Sequence, residues 1–383
     1  MIPAFCEYFA RGECGSCSWI EKEYEAQLRE KERILRERLR AFSPLALEDL
    51  FPSPERGFRN RAKMVVTGSV DSPIIGIAGD PKSLDEGREL LHCPIHHPKL
   101  NELIAAMPGL IRRHELTPYR IQARSGELKA LIAFYSPLSD QMYLRFVLRS
   151  RAFVTRITKL IPELQRDFPS LRCISANIQP IPHAILEGPE EIPLTRPDWI
   201  LHQIGSLQMR LAPQAFVQTN FVVAAELYET AARWVGEISP PKMIELFCGQ
   251  GAFSFFCAKS AATILGIEIN PEAVETANRT ATEQNLPHLR FKAADSAKVG
   301  SEIGSFAPDL ILANPPRKGL GESLRLISEF QPAHFIYSSC AIETLASDLE
   351  RLAPLYRIRK ARLFDMFPHT EHFETLVWLE KTA

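Results

Sequence analysis

Cys340 is the residue of this chain whose position best suits nucleophilic chemistry. It ends the apolar run HFIYSSC, which predicts a strand, and it precedes AIETLASDLERL, which has helical spacing. A thiol between a strand end and a helix N-terminus lies near the positive end of the helix dipole, which favours the thiolate. Because an unperturbed thiol is only slightly ionised near neutrality, we predict that this placement makes Cys340 a catalytic nucleophile.

A loop rich in aromatic and titratable residues lies near the end of the chain, in the run LFDMFPHTEHFETLVWLEK. A carboxyl group among aromatic side chains tends to have a raised pKa and can then act as a general base. Glu374 is our candidate for that base, and His369 is the second choice. The chemistry of this loop therefore complements that of a nucleophilic thiol.

Four other cysteines have the spacing of a metal site. Cys6, Cys14 and Cys17 follow the pattern C-x7-C-x2-C, and Cys93 lies much later in LLHCPIHH. Three clustered thiols and a distant fourth suit a four-thiolate site, and the spacing alone allows zinc or an iron–sulfur cluster. The remaining cysteines are assigned to packing: Cys173, Cys248 and Cys257.

A cofactor crevice is indicated by polar residues at successive strand ends. A glycine turn at Gly249 follows the apolar run MIELFC, and Glu268 ends the next apolar run, where a carboxylate can accept hydrogen bonds from a ribose. Asp295 ends a third run and is placed to receive an adenine amino group. Asn314 opens the sequence Asn-Pro-Pro-Arg after the fourth run. Because ligands bind beyond the carboxyl ends of strands in open α/β sheets, these residues should meet.

The hydrophobic pattern indicates the elements that hold these residues. From about residue 206, short apolar runs alternate with helix-length stretches, which predicts a Rossmann-like, mostly parallel sheet. The preceding region consists of short β-rich runs with helices near 98–114 and 152–168, and residues 18–43 read as an amphipathic helix. We predict an α/β protein with a cysteine-rich segment and helix at 1–57, a mixed, mostly antiparallel α+β domain at 58–205, and the parallel-sheet domain at 206–383.

The runs ELFCGQGAFS, NPPRKG, IYSSC and DMFPHTEHFE together closely resemble the RNA uracil-5 methyltransferases of ribosomal and transfer RNA. The resemblance covers nearly the whole chain, including FRNRAKM and PQAFVQTN, and is closest to the branch that acts on 23S ribosomal RNA. It implies a class I methyltransferase domain, S-adenosyl-L-methionine as methyl donor, a 4Fe-4S cluster at the four cysteines, Cys340 as nucleophile and Glu374 as base. The residues that it implies for the S-adenosylmethionine site are Gln218, Phe247, Gly249, Glu268 and Asn314; many relatives carry Asp at the last of these.

The resemblance also implies why these residue types are needed. Uracil C5 is a poor nucleophile, so a thiolate adds to C6 and gives C5 enolate character. After methyl transfer, a base removes the C5 proton and the thiolate is eliminated. The target base must leave the RNA stack to be reached, and Phe364 or Phe367 is expected to cover it.

The chain as a whole has no positive field, since 45 Lys and Arg face 46 Asp and Glu for a net charge of −1. RNA contacts must therefore come from local patches. We expect one at residues 56–63, where the run FRNRAKM is part of the resemblance, one on the strand exit near Arg149 and one near the active crevice at Lys318. The full set of expected RNA-contacting residues is Arg56, Phe58, Arg59, Arg61, Lys63, Arg145, Arg149, Arg151 and Lys318.

Composition excludes several classes of protein. A hydrophobic fraction of 45% and a charged fraction of 24% are those of folded globular proteins, and the chain has no signal-like start and no apolar run long enough for a membrane span. We expect a cytoplasmic monomer with ribosomal RNA as its partner. No sequence feature points to a membrane or to a partner protein.

Rival functions remain at this point. An exocyclic-amine methyltransferase also uses Asn-Pro-Pro, but Arg317 stands where such enzymes carry an aromatic residue. An uracil-5 methyltransferase of transfer RNA or of another ribosomal site, and a non-catalytic, redox-responsive RNA-binding protein, are further alternatives. An NAD-dependent oxidoreductase explains neither Cys340 nor Glu374.

Overall fold

A computed structural model describes residues 5–42, 44–79, 85–181 and 186–382. The chain forms two compact units. The first contains Met1–Cys17 and Glu55–Gln214, and the second contains Ser18–Pro54 and Ala215–Ala383. The sequence-based boundaries kept 1–57 together, whereas the structure groups the helix of that segment with the C-terminal unit.

The first unit is built on a seven-stranded mixed sheet whose strand order is β3-β2-β1-β4-β5-β6-β7. All neighbours are antiparallel except β5 and β6, which are parallel and are joined by a crossover helix. The strands are β1 (Arg61–Gly68), β2 (Pro73–Ala78), β3 (Gly87–Glu89), β4 (Leu128–Ser136), β5 (Gln141–Leu148), β6 (Leu171–Ile178) and β7 (Glu190–Pro193), with a separate hairpin of β8 (Ile200–Ile204) and β9 (Leu207–Leu211).

Two amphipathic helices cover one face of this sheet. They are α3 (Pro98–Arg113) and α4 (Val154–Asp167), and α4 buries its apolar stripe at Ile157, Leu160 and Leu164. Alternate residues of the strands, such as Met64, pack against these helices in the core. A short helix, α1 (Glu7–Ala10), lies between Cys6 and Cys14, and both of these cysteines pack against this core.

The second unit is built on a second seven-stranded sheet, with strand order β12-β11-β10-β13-β14-β16-β15. The first five strands in this order are parallel, and β16 is antiparallel to both β14 and β15. The strands are β10 (Lys242–Leu246), β11 (Thr263–Glu268), β12 (Leu289–Ala293), β13 (Leu310–Ala313), β14 (His334–Ser339), β15 (Tyr356–Phe364) and β16 (Glu374–Lys381). The predicted mostly parallel C-terminal sheet is confirmed.

Helices alternate with the parallel strands, as the sequence pattern requires. Apolar residues of several of these helices, such as Ile303, Ile327 and Leu349, join those of the strands in one buried core. Among the described residues, no helix is long and apolar enough to cross a membrane. The helices of this unit are α2 (Tyr24–Arg38), α5 (Phe221–Ile238), α6 (Ala252–Cys257), α7 (Pro271–Glu283), α8 (Gly300–Phe306), α9 (Ser323–Phe330) and α10 (Ile342–Leu352).

Helix α2 is attached to the segment before β16 by a buried ion pair. Lys31 Nζ lies 2.5 Å from Asp365 Oδ1, and both side chains are fully buried. The same ammonium group donates to the carbonyl of Phe367, and the Tyr24 hydroxyl donates to Asp365. Because breaking a buried ion pair is costly, this contact holds α2 against the chain that leads to Glu374.

Candidate active site

The predicted nucleophile and base lie at opposite positions on neighbouring strands. In the antiparallel pair of β14 and β16, Ser339 faces Thr375. One position beyond this pair, Cys340 directly follows β14 and lies across from Glu374, the first residue of β16. Electrostatic repulsion between the two groups contributes to the pKa of the thiol, which places their charges close together. Residues 34 positions apart in sequence are thus brought together by the register of the sheet.

Glu374 is a buried carboxyl group whose hydrogen-bond partner among the described residues is Ser338. It is 1% exposed, and its Oε1 accepts a hydrogen bond of 2.6 Å from the hydroxyl of Ser338. Burial raises the pKa of Glu374 to about 7, and the Ser338 hydrogen bond acts in the opposite direction. A carboxyl group with this pKa can take up and release a proton near neutral pH.

The environment of Cys340 differs from the sequence-based expectation. Burial raises the pKa of its thiol above the ordinary value, and the neighbouring Glu374 raises it further. The guanidinium of Arg317 lowers the pKa, by its charge and by a hydrogen bond to the sulfur. Helix α10 begins only at Ile342. The helix dipole is thus outweighed by burial, and Arg317 is the cation that favours the thiolate.

Cys340 opens into a cavity of about 400 Å³. Arg317 lines it beside the thiol, and Phe373, the residue before Glu374, forms another part of the wall. Arg33 and Arg38 of helix α2 line it as well. The volume is in the range of small-molecule sites, and the described wall carries both charges, since Glu37, Glu343 and Glu371 line it beside the arginines.

Two residues that the sequence suggested for catalysis or base stacking, His369 and Phe364, are buried in the protein. His369, the second choice for a base, is 2% exposed, and its backbone N–H and its ring both contact the side chain of Gln27. Phe364 is fully buried within β15 and is therefore not available to cover a flipped base. Phe367 is only half-buried, so of the two predicted aromatic covers only this one is accessible.

The glycine turn after β10 has the shape of a ligand cradle. Phe247 and Gly249 both have positive φ, at 59° and 55°, and a side chain added at Gly249 would meet only open space. The Gly249 N–H donates to Glu268 Oε2 at 3.0 Å. Two residues predicted for the S-adenosylmethionine site are therefore in direct contact at the edge of the sheet.

Two of the other predicted cofactor residues follow strands of the same sheet. Asp295 follows β12, where its carboxylate accepts from the Ala297 N–H at 3.0 Å, and Asn314 directly follows β13. Gln218 is 7% exposed in the segment before α5. The residues present thus fit a bound nucleoside: an open turn, a carboxylate and polar strand ends.

Four thiols share one neighbourhood in the first unit. Burial raises the pKa of Cys17 to about 12, and the thiol groups of Cys93, Cys14 and Cys6 each raise it further by electrostatic interaction. All four cysteines are free, and the Cys93 sulfur accepts backbone hydrogen bonds within the turn that follows it. Within the described ranges, no three His, Cys, Asp or Glu side chains are arranged to hold one metal ion.

Four thiols in one neighbourhood are the donor set of a thiolate-bound metal group, whether zinc or an iron–sulfur cluster.

Most of the expected RNA-contacting residues of the first unit are engaged within the protein. Phe58 is 3% exposed, so its ring is not free for base stacking. Arg145 is 1% exposed and forms ion pairs with Glu187 and Glu191. Its predicted contact with RNA phosphate is therefore wrong, because the low-dielectric position demands the paired carboxylates.

The other basic residues divide into partly paired and exposed groups. Lys63 and Arg149 form ion pairs with glutamates while remaining partly exposed. Arg61 is 8% exposed, and Arg59 lies beside Cys93 and Cys17. The exposed members of the predicted set are Arg56, Arg151 and Lys318.

Sequence reasoning missed three contributors to this region. Ser338 holds Glu374, Arg317 contacts the thiol, and helix α2 supplies part of the cavity wall. The serine two residues before the nucleophile and the arginine of the Asn-Pro-Pro-Arg run were visible signals, whereas the position of α2 was not.

Comparisons with known proteins find relatives that match the chain over almost its whole length. The family model of tRNA (Uracil-5-)-methyltransferase matches residues 204–382. A 23S rRNA (uracil(747)-C(5))-methyltransferase of Shewanella amazonensis is 42% identical over 383 residues, which cover 99% of this chain and 98% of that protein. The chain belongs to the RNA uracil-5 methyltransferase family. A relative with the same description from Enterobacter is 40% identical over 98% of this chain.

The structural comparison agrees with the fold of this uracil-5 methyltransferase family member. A crystal structure of Pyrococcus abyssi tRNA (uracil-54, C5)-methyltransferase in complex with S-adenosyl-L-homocysteine superposes with a TM-score of 0.79. The match covers 95% of this chain and 85% of the other, at 23% identity. The mixed first sheet and the mostly parallel second sheet, which resembles the class I methyltransferase fold, are thus both accounted for.

Proposed function

We propose that this protein methylates C5 of a uridine in 23S ribosomal RNA, at the position equivalent to uracil 747, with S-adenosylmethionine as methyl donor. The observation that carries the proposal is the placement of Cys340 opposite the buried carboxyl of Glu374, at the edge of a cavity. Identity to the curated relatives over almost the whole chain supports the ribosomal substrate.

The chemistry follows from the two side chains. The Cys340 thiolate adds to C6 of uracil, which makes C5 nucleophilic, and the Arg317 guanidinium stabilises the thiolate before it adds. S-adenosylmethionine supplies the methyl group that C5 takes up. Glu374 then accepts the C5 proton, and the electrons of the C5–H bond re-form the C5–C6 double bond as the thiolate leaves.

The donor's binding site is proposed at the edge of the second sheet. Gly249 leaves open space for a ligand, and the carboxylate of Glu268 is positioned to accept hydrogen bonds from ribose hydroxyls. Asp295 is proposed to contact the adenine amino group. The other residues proposed to bind the donor are Gln218, Phe247 and Asn314.

The four thiols of the first unit are proposed to hold a 4Fe-4S cluster. The four ligands are Cys6, Cys14, Cys17 and Cys93, which interact electrostatically with one another. Backbone N–H groups at the Cys93 sulfur would stabilise a thiolate ligand. The cluster would connect the N-terminal segment to the chain that follows β3.

A methylation assay on defined RNAs tests the proposed function. The purified protein is incubated with methyl-labelled S-adenosylmethionine and a 23S fragment containing uridine 747, and the product is mapped by mass spectrometry. We expect one 5-methyluridine at that position and none when the uridine is replaced by cytidine. Methylation of transfer RNA, or of another ribosomal uridine in preference, would overturn the proposed substrate.

A further inference from the structure

The hydroxyl of Ser338 is buried directly beside the proposed base. Ser338 is 0% exposed on β14, and its Oγ donates to Glu374 Oε1 at 2.6 Å. In the part of the chain that the structure describes, this is the one hydrogen bond made by the Glu374 carboxyl group. A serine in the middle of a sheet core is otherwise an uncommon choice, since a buried hydroxyl must be hydrogen-bonded to be tolerated.

This hydrogen bond has two physical consequences for the carboxyl group. It fixes the orientation of Glu374, so Oε1 is occupied and Oε2 is left to receive a proton. It also stabilises the ionised form, because the hydroxyl donates to the carboxylate, and so it opposes the effect of burial. The other titratable groups that face Glu374 are the Cys340 thiol beyond the end of β14 and the Tyr228 hydroxyl of α5.

The neighbouring serine has a different task. The Ser339 hydroxyl both donates to the carbonyl and accepts from the N–H of Ala341, at 3.2 Å each. It therefore shapes the turn between β14 and α10 and makes no contact with Glu374. Because side chains alternate along a strand, the two adjacent serines point to opposite faces of the sheet. Ser339 is therefore a matched control for substitutions at Ser338.

We propose that Ser338 is a positioning residue for proton removal, whose hydroxyl holds Oε1 of Glu374 so that Oε2 takes the C5 proton. The inference rests on the proposed function. In the step concerned, the C5–H bond breaks and its proton goes to Oε2. The electron pair forms the C5–C6 double bond, the C6–S bond breaks, and Cys340 leaves as thiolate. Methyl transfer precedes this step and does not require the hydroxyl.

The test separates methyl transfer from proton removal in single-turnover experiments. RNA carrying tritium at C5 of the target uridine reports proton loss, and methyl-labelled S-adenosylmethionine reports methyl transfer. The variants are Ser338→Ala and Ser338→Cys, which lose a strong donor, and Ser338→Thr, which keeps the hydroxyl. The control is Ser339→Ala, and each variant is checked for folding by its thermal midpoint.

We expect Ser338→Ala and Ser338→Cys to transfer the methyl group at the wild-type rate but to release tritium about tenfold more slowly, as expected for the loss of a hydrogen bond to a charged group. The pH midpoint of tritium release should move to higher pH, and Ser338→Thr should restore it. If Ser338→Ala does not fold, the comparison of the Cys and Thr variants decides. Ser339→Ala should keep the wild-type pH midpoint.

Two results would overturn the inference: wild-type rate and pH midpoint of tritium release in the Ala and Cys variants, or an equal slowing of methyl transfer and tritium release. A wild-type protein that methylates no uridine at C5 would instead overturn the proposed function. The wild-type measurement therefore distinguishes the two failures.

Discussion

The thiol of Cys340 and the four thiols of the first unit have different neighbours, and the comparison shows how neighbouring groups decide whether a cysteine reacts or binds metal. Cys340 stands alone at a strand end, beside Arg317 and the buried carboxyl of Glu374, and it lines a cavity. The four thiols of the first unit have one another as neighbours instead. A single thiol with a cation and a base can form and break a bond, whereas four together can hold a metal group.

Replacing Glu374 by Gln should have the largest effect on turnover at Cys340. The amide cannot accept the C5 proton, so we expect turnover to fall by about 10³-fold, within the range of general-base effects. The covalent RNA adduct should form and accumulate, which a denaturing gel detects. Iron content should be unaffected, and turnover near the wild-type rate would assign the base to another residue.

Removing one of the four thiols of the first unit should instead lower the iron content and leave adduct formation at Cys340 intact. We expect wild-type protein purified without oxygen to carry about four iron atoms per chain and a broad absorption near 400 nm, as for thiolate-bound iron clusters. The Cys93→Ser variant should lose most of the iron but still form the Cys340 adduct. Cys173→Ser, at a buried cysteine of the same unit, is the control and should keep the iron. Stoichiometric zinc in colourless protein would contradict the cluster.

The sequence predicted the parallel sheet and the strand-end chemistry because both depend on local patterns. Gly249, Glu268 and Asn314 each lie at or just after the end of an apolar run, and parallel strands bring such residues to one edge of the sheet. The buried surroundings were not predictable in this way. Arg145 reads as a solvent-facing cation until the pairing of β5 with β6, and of β6 with β7, brings Glu191 to it. The raised pKa of Cys340 likewise depends on burial, which spacing does not reveal.

The contact between α2 and the chain before β16 gives a third prediction, which concerns the stability of the unit that contains Cys340. Lys31→Met should lower the free energy of unfolding by about 3 kcal/mol, because it leaves Asp365 as an uncompensated buried charge. The matched control is Arg36→Met on the same helix, whose ion pair with Glu32 is exposed; it should cost less than about 1 kcal/mol. Chemical denaturation measures both. Equal effects would mean that the buried pair does not hold the helix.

The pH dependence of proton removal gives the smallest effect. Burial raises the pKa of Glu374 to about 7, so its carboxylate fraction increases as the pH rises through that value. We expect tritium release from C5 to increase about tenfold between pH 6 and pH 8 and then to level off. A rate already at its maximum at pH 5 would show that Glu374 keeps an ordinary pKa or is not the base.

Covalent trapping tests the central claim most directly. RNA carrying 5-fluorouridine at the target position forms an adduct that cannot be resolved, because fluorine at C5 is not removed as a proton. We predict an RNA–protein adduct in the presence of S-adenosylmethionine, with mass spectrometry locating the nucleotide on Cys340. The Cys340→Ala variant should form no adduct and no 5-methyluridine. An adduct on another residue, or methylation by Cys340→Ala, would contradict the assignment of Cys340 as the nucleophile.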